Sequence, residues 1–264
     1  MKNINYAVVP GTLYRQLPQS FIDSFSTIEQ NSFLNLIPFE GDQIFHTGYS
    51  ITDVNFQTEL EKVQAFDVIK KRNIRRFSFD IGPCYTKTDV IDSKYVGVGD
   101  KLSQNEIIDL CEKKLDWFMR RVPSSCEVAV ENLNFYPTES GAYEEGVCEP
   151  EFYNQICKTF GISLVLDLGH ALVSAWNLKV NSREFLKQFD LDLISEIQLC
   201  KMGVSENQEA YDAHQRPDQV EFQLVAEMLG ENRRQRDIVV EYWKDPELLI
   251  ECYASLKAYF DAKN

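Results

Sequence analysis

The sequence predicts an α/β protein folded as a (β/α)8 TIM-type barrel, somewhat irregular near its N-terminus, and three observations carry that prediction. Short β-rich runs alternate with segments whose apolar residues recur at three- and four-residue spacing. Such alternation implies a parallel sheet, because parallel neighbours need crossover connections. The chain has 264 residues, close to the roughly 250 of an eight-stranded α/β barrel, so a single domain over residues 1–264 is expected. A doubly wound open sheet is the main competitor. Neither a G-x-G-x-x-G after the first strand nor a G-x-x-x-x-G-K-[ST] is present, so the phosphate-cradling loops common in open sheets are missing and closure is favoured.

The elements follow in order. Strands are expected at Tyr6–Val9, Phe33–Ile37 and Ile44–His46, with a link between the last two that is too short for a helix. A helix over Asp53–Arg72 leads to a strand at Arg76–Asp80, and one over Gln104–Arg120 to a strand at Glu127–Asn132. The helix Pro150–Phe160 precedes Ser163–Leu168, Ser182–Phe189 precedes Ser195–Leu199, and Gln215–Leu229 precedes Ile238–Tyr242. A final helix, Pro246–Phe260, carries the aromatic run YASLKAYF on one face.

Loop length sets the direction of the site. The segments after strands (Ile81–Ser103, Leu133–Cys148, Cys200–Arg216) are long and those before strands short, and in barrels the loops after strands build the active site. The basic clusters KKRNIRR (70–76), MRR (119–121) and RRQR (233–236) sit at helix ends just before strands. They are expected on the opposite face as solvated, dipole-compensating ends.

Composition narrows the partners. A formal charge of −14 disfavours nucleic acid. No window approaches the ~18 apolar residues of a membrane span, and MKNINYAVVPGTLYRQ lacks a secretory pattern, so a cytoplasmic location is expected. Seven cysteines without a C-x-x-C pair are expected as reduced thiols.

All three histidines fall at or just beyond a strand end: His46 closes IFH, His170 follows LVLDLG, and His214 follows EIQL in the next loop. Carboxylates share that level, with Asp80, Glu131, Asp167 and Glu241 ending apolar strands and Asp212 two residues before His214. An unpaired charge pointing into a barrel mouth costs several kcal/mol unless a cation compensates. Lys201 is the one strong candidate for a counter-charge, so metal is expected. Imidazole with carboxylate suits zinc, iron or manganese, and so many donors suggest two or three ions bridged by a carboxylate. D-x-x-H (Asp167, His170) and D-x-H (Asp212, His214) are the most specific local signals.

The order of VENLNFY, EPEFYNQICKTFGISLVLDLGHALVSAWN, EIQL, AYDAHQRP and VVEYW resembles the xylose-isomerase-like barrel superfamily, from about Phe33 to Trp243. Within it, the chain looks most like the methanobactin-biosynthesis-type multinuclear non-haem iron oxidases. The resemblance implies a multi-iron centre that uses dioxygen to oxidise a cysteine of a peptide substrate, with a companion protein presenting the peptide. It implies His46, Asp80 and Glu131 at one metal, Glu131, Asp167 and Glu241 at a second, and His170, Asp212 and His214 at a third. Two positions depart: Asp80 stands where the family has the His of S-x-H, and Gln198 where EIHL supplies another His. Gln198 is then a weak or indirect ligand.

Other functions remain open. A sugar isomerase or epimerase would use Glu131 and Glu241 as proton-shuttling carboxylates beside one ion, with Asp167 as a further ligand. A degenerate metal-binding barrel would bind without turnover. An endonuclease IV-like phosphodiesterase fits the ligand order but not the acidic loops. Asn132 is expected either to orient Glu131 or to bond a loop, Trp176 and Trp243 to pack between barrel and helices, and Cys84 and Cys200 to be small apolar filler near the mouth.

Overall fold

A computed structural model describes residues 4–91, 94–137, 145–230, 232 and 234–262. Its strands are β1 (Ile4–Val8), β2 (Thr27–Gln30), β3 (Asp42–Ser50), β4 (Arg76–Asp80), β5 (Thr88–Ile91), β6 (Lys94–Gly97), β7 (Glu127–Glu131), β8 (Ser163–Asp167), β9 (Ile194–Leu199), β10 (Lys201–Val204), β11 (Ala210–Gln215) and β12 (Arg236–Val240). Its α-helices are α1 (Gln19–Ile22), α2 (Phe56–Lys62), α3 (Ala65–Arg72), α4 (Gln104–Met119), α5 (Glu145–Cys148), α6 (Pro150–Phe160), α7 (Leu168–Asn177), α8 (Ser182–Leu186), α9 (Gln219–Leu229) and α10 (Pro246–Asp261). Eight strands close in the order β1-β12-β9-β8-β7-β4-β3-β2, all paired in parallel. This is the (β/α)8 barrel that the alternation predicts.

Apolar residues on the outer faces of the strands meet the helices. Phe77 and Phe79 pack on Phe118 of α4, Phe45 stacks on Phe77, and Ile238 and Val240 share the core with Leu249 and Leu256 of α10. Burial of this kind stabilises by ~25 cal/mol per Å² of apolar surface. Tyr253 of α10 adds a polar anchor, donating to the Ala7 carbonyl at 2.6 Å and accepting from the Val240 N–H at 2.9 Å. Ser103 and Glu106 form a capping box at the start of α4, as Asp218 and Glu221 do at α9.

Several expectations need correction. The second strand is Thr27–Gln30, not Phe33–Ile37. The Gln30 side chain occupies the backbone of Ile37, donating to its carbonyl at 2.8 Å and accepting its N–H at 2.9 Å, so that segment makes no ladder. Phe33 instead stacks on Phe45 from the loop, with ring centroids 4.3 Å apart. No helix joins β2 to β3, although the link from Gln30 to Asp42 is longer than the one expected. The expected helix Asp53–Arg72 is two, α2 and α3, divided where Gln64 takes a left-handed φ of 53°. Helix α7 and the antiparallel hairpin β10–β11 have no counterpart among the expected elements.

Of the basic clusters expected to be solvated, Arg233 lies outside the described residues, and among the rest not all are exposed. Arg76 is 1% exposed and points into the barrel, pairing with Glu196 and with Asp237 Oδ2 at 2.6 Å. Arg236 is also buried, donating to the Leu191 carbonyl at 2.5 Å. Both are strand residues, and strand alternation, not the helix dipole, decides where they point. All seven cysteines are buried and form no disulfide. No helix among the described residues is long and apolar enough to cross a membrane.

Candidate metal centre

Parallel pairing in register brings the carboxyl ends of neighbouring strands to one level. Asp80 is opposite Glu131, and Asp167 is opposite Gln198. Glu241 follows β12, where its N–H donates to the Leu199 carbonyl at 2.9 Å. Strand alternation turns these side chains into the mouth. Asp167 also caps α7, accepting the His170 N–H at 2.6 Å, so the D-x-x-H spacing is a strand end joined to the first turn of a helix. The hairpin β10–β11 folds back over the mouth and delivers Asp212 and His214, the latter with φ 39°.

The three imidazoles are interleaved with carboxylates. His46 Nε2 lies 3.0 Å from Glu131 Oε2 and 4.0 Å from Asp80 Oδ1. His170 Nδ1 is 2.9 Å from Glu131 Oε1, and its Nε2 is 3.5 Å from Asp212 Oδ2. His214 Nε2 is 2.8 Å from the same Asp212 oxygen, and its Nδ1 is 3.5 Å from Glu241 Oε2. Donor atoms converge within 4.8 Å of one another in four groups: His46, Asp80 and Glu131; Glu131, Asp167 and His170; Asp167, Cys200 and Glu241; and Cys200, Asp212 and His214. The structure thus brings together all eight residues singled out in the sequence, but partitions them differently. His170 groups with Glu131 and Asp167, and Cys200 enters twice. The cavity above them holds about 560 Å³.

Burial dominates the titration of this cluster. It pushes Glu131 up to about 8, against opposing hydrogen bonding from His170, and Asp80 up to about 6. Burial and the neighbouring Asp167 and Glu131 hold Glu241 well above the usual carboxylate range. Burial lowers His46 to about 4. Burial also disfavours charge on His170, but Asp167, Asp212 and Glu131 outweigh it and raise that imidazole well above its ordinary value. Asp212 is held low, because hydrogen bonds from His170 and His214 overcome its burial.

The donor set fits metal. Among the described residues lining the cavity there is no Lys or Arg. Lys201, the expected counter-charge, turns instead to Asp218, at 2.7 Å. Asp212 Oδ1 and His214 Nδ1 are buried without a hydrogen-bond partner, as are both amide atoms of Gln198. Buried donors without partners are uncommon and call for a ligand, and carboxylate with imidazole suits a divalent transition metal.

Some residues escaped the sequence reading. Glu29 of β2 is buried and lines the cavity, but TIEQ carries no apolar alternation to mark it as a strand. Cys200 is not apolar filler, because its Sγ lies 3.8 Å from both carboxylate oxygens of Asp167. Cys84 does pack in the apolar core. Asn132 bonds the backbone of Asp167 rather than the carboxylate of Glu131. Trp243 packs against His214, with ring centroids 4.5 Å apart and planes tilted by 39°, whereas the exposed Trp176 donates to the Gln208 carbonyl in the hairpin turn.

The fold is shared with several solved structures. The IolI protein with a bound zinc atom aligns with a TM-score of 0.64 at 12% identity, covering 98% of each chain. Endonuclease IV from Thermus thermophilus gives 0.62 at 11% identity, over 98% of this chain and 99% of that one. A xylose isomerase domain containing protein from Salmonella typhimurium gives 0.60 at 11% identity over 97% of each. No curated protein sequence matches. Residues 106–250 match the family described as RiPP precursor modification enzyme MbnB/TglH/ChrH, a stretch that holds Glu131, Asp167, His170, Asp212, His214 and Glu241. On that match, over more than half of the chain, the protein belongs to the MbnB/TglH/ChrH family of RiPP precursor modification enzymes.

Proposed function

We propose that the protein is a multinuclear, iron-dependent oxidase that modifies a cysteine of a peptide precursor, with a companion protein presenting the peptide. The observation that carries this reading is the convergence of three imidazoles and five carboxylates in a mouth whose described lining has no Lys or Arg. Family membership supplies the peptide precursor as substrate class. His46, Asp80 and Glu131 would hold one ion, and Glu131, Asp167 and His170 a second. Asp212 and His214, with Glu241 nearby, would hold a third. Iron bound there would supply one-electron chemistry, with dioxygen as oxidant and the peptide thiol as reductant.

The chain's own side chains prepare this chemistry. Glu131, which burial raises to about 8, would have to lose its proton to serve as a ligand. His170 is oriented by the Asn132 carbonyl, 2.8 Å from Nδ1, and Trp243 packs against the ring of His214. Such supporting contacts fix the direction of ligands.

The test is metal analysis of protein purified anaerobically without chelator, beside a His170→Ala/His214→Ala variant. Two or more irons per chain, lost in the variant, together with dioxygen uptake in the presence of a cysteine-containing peptide, is the expected result. Zinc in place of iron with no oxygen uptake would redirect the reading to metal-assisted isomerase chemistry, with Glu131 and Glu241 as the proton-shuttling pair. Negligible metal after reconstitution would overturn both.

A further inference from the structure

We infer that Cys200 is itself a metal ligand, so that the centre is a mixed imidazole, carboxylate and thiolate site. The inference rests on the metal-centre reading above and adds a donor to it.

Three observations lead there. The first is position. Cys200 follows β9 directly, fully buried, with Sγ 3.8 Å from Oδ1 and Oδ2 of Asp167. It lies within 4.8 Å of the donor atoms of Asp212 and His214 on one side and of Asp167 and Glu241 on the other. Cys84, by contrast, belongs to the hydrophobic core and to none of the four donor groups. Cys200 faces four potential ligands.

The second observation lies two residues back along the same strand. Strand alternation puts Glu196, Gln198 and Cys200 on one side of β9, and Glu196 meets Arg76 inside the barrel, so that side is the interior. Gln198 is 0% exposed, sits in register with Asp167, and leaves both amide atoms without a partner. An amide cannot be deprotonated and is a poor donor to a transition metal. Gln198 therefore marks a polar space against the metal level that its own chemistry does not fill. The anionic donor that β9 offers at this end is the thiolate of Cys200.

The third is the room made for sulfur. A Cβ on Gly169, in the first turn of α7, would come 2.2 Å from Cys200 Sγ and 3.2 Å from Asp167 Oδ1. The backbone of α7 is packed directly against the sulfur and the carboxylate, and glycine alone leaves that space. Asp212 and His214, whose Oδ1 and Nδ1 have no hydrogen-bond partner, are the residues grouped with Cys200. On binding, the thiol loses its proton to solvent as the metal–sulfur bond forms. A soft thiolate tilts the site toward iron, zinc or cobalt and away from manganese or magnesium.

The experiment uses cobalt(II) as the probe, titrated anaerobically into the metal-free full-length protein and read by its thiolate-to-cobalt charge-transfer absorption in the near ultraviolet. The wild type is expected to show the band, Cys84→Ser to keep it, and Cys200→Ser to lose it while binding at most one cobalt fewer per chain. X-ray absorption on the zinc-loaded wild type needs no variant, and is expected to show a zinc–sulfur distance of about 2.3 Å. Bound cobalt without the band, or zinc with only nitrogen and oxygen neighbours, overturns the thiolate ligand and leaves the metal centre standing. Failure to bind either metal overturns the centre and this ligand with it.

Discussion

The side-chain amide of Asn132 grips the backbone of Asp167 at both ends, donating to its carbonyl at 3.0 Å and accepting its N–H at 2.8 Å. This clasp joins the ends of β7 and β8 at the point where both strands deliver a carboxylate. The Asn132 carbonyl also lies 2.8 Å from His170 Nδ1, so one residue positions both Asp167 and His170.

Asn132→Ala is expected to cost about 2–4 kcal/mol, because two buried backbone groups lose their partners. At about 2–4 °C per kcal/mol for a chain of this size, the melting temperature should fall by roughly 5–15 °C. Metal affinity should fall as well, roughly 10- to 100-fold, as when other supporting residues are lost. Differential scanning calorimetry and a competitive chelator titration would check the two effects. Unchanged metal affinity in a folded variant would show that the clasp serves the fold alone.

Above pH 6.5 the metal-free protein is expected to lose stability as pH rises. Glu131, raised to about 8 from 4.5, contributes stability that is full at low pH and is lost as pH climbs through the folded value. Glu241 and His170, both raised well above their ordinary values, act in the same direction. His46, lowered to about 4 from 6.5, opposes them, but only below 6.5. Thermal melts between pH 6.5 and 8 with and without metal would test this. The metal-free slope should be negative and shallower in Glu131→Gln, and the stabilisation by added metal should grow with pH, since cations displace these protons.

At the other end of the barrel, Arg76→Ala is expected to destabilise by about 3–5 kcal/mol. It strands the nearly fully buried Glu196, while Asp237 keeps Arg75 at 2.9 Å and Asn5 at 2.6 Å. The denaturation midpoint reads this directly. Arg76→Met, which fills volume but leaves Glu196 without its cation, should recover little. Full recovery would mean that packing, and not charge, is the role of Arg76.

Gly169→Ala is expected to cost about 1–3 kcal/mol through overpacking against Cys200 Sγ. The double variant Gly169→Ala/Cys200→Ala should recover most of that loss in a double-mutant cycle, because removing the sulfur frees the space. Additive losses would place the strain elsewhere.

Much of this protein is legible one segment at a time. A strand that is apolar except for its last residue announces a carboxylate at a barrel mouth, and Asp80, Glu131, Asp167 and Glu241 are visible for that reason. D-x-x-H is legible as a pair because a strand end and the helix it caps are neighbours along the chain. Fold class follows from periodicity, which is a local property of the chain. What only the tertiary structure decided is what meets across the closed barrel. Glu29 and Cys200 carry no local signal, since a polar strand such as TIEQ or a lone thiol after EIQL reads as ordinary sequence until closure turns it inward. Arg76 looks like a helix-end cation until the barrel places Glu196 and Asp237 beside it. Asp212 and His214 reach the centre only because the hairpin β10–β11 folds back. Spacing along the chain sets which face a side chain takes. Closure of the sheet sets which charges must share one buried space, and there the missing counter-charge points to metal.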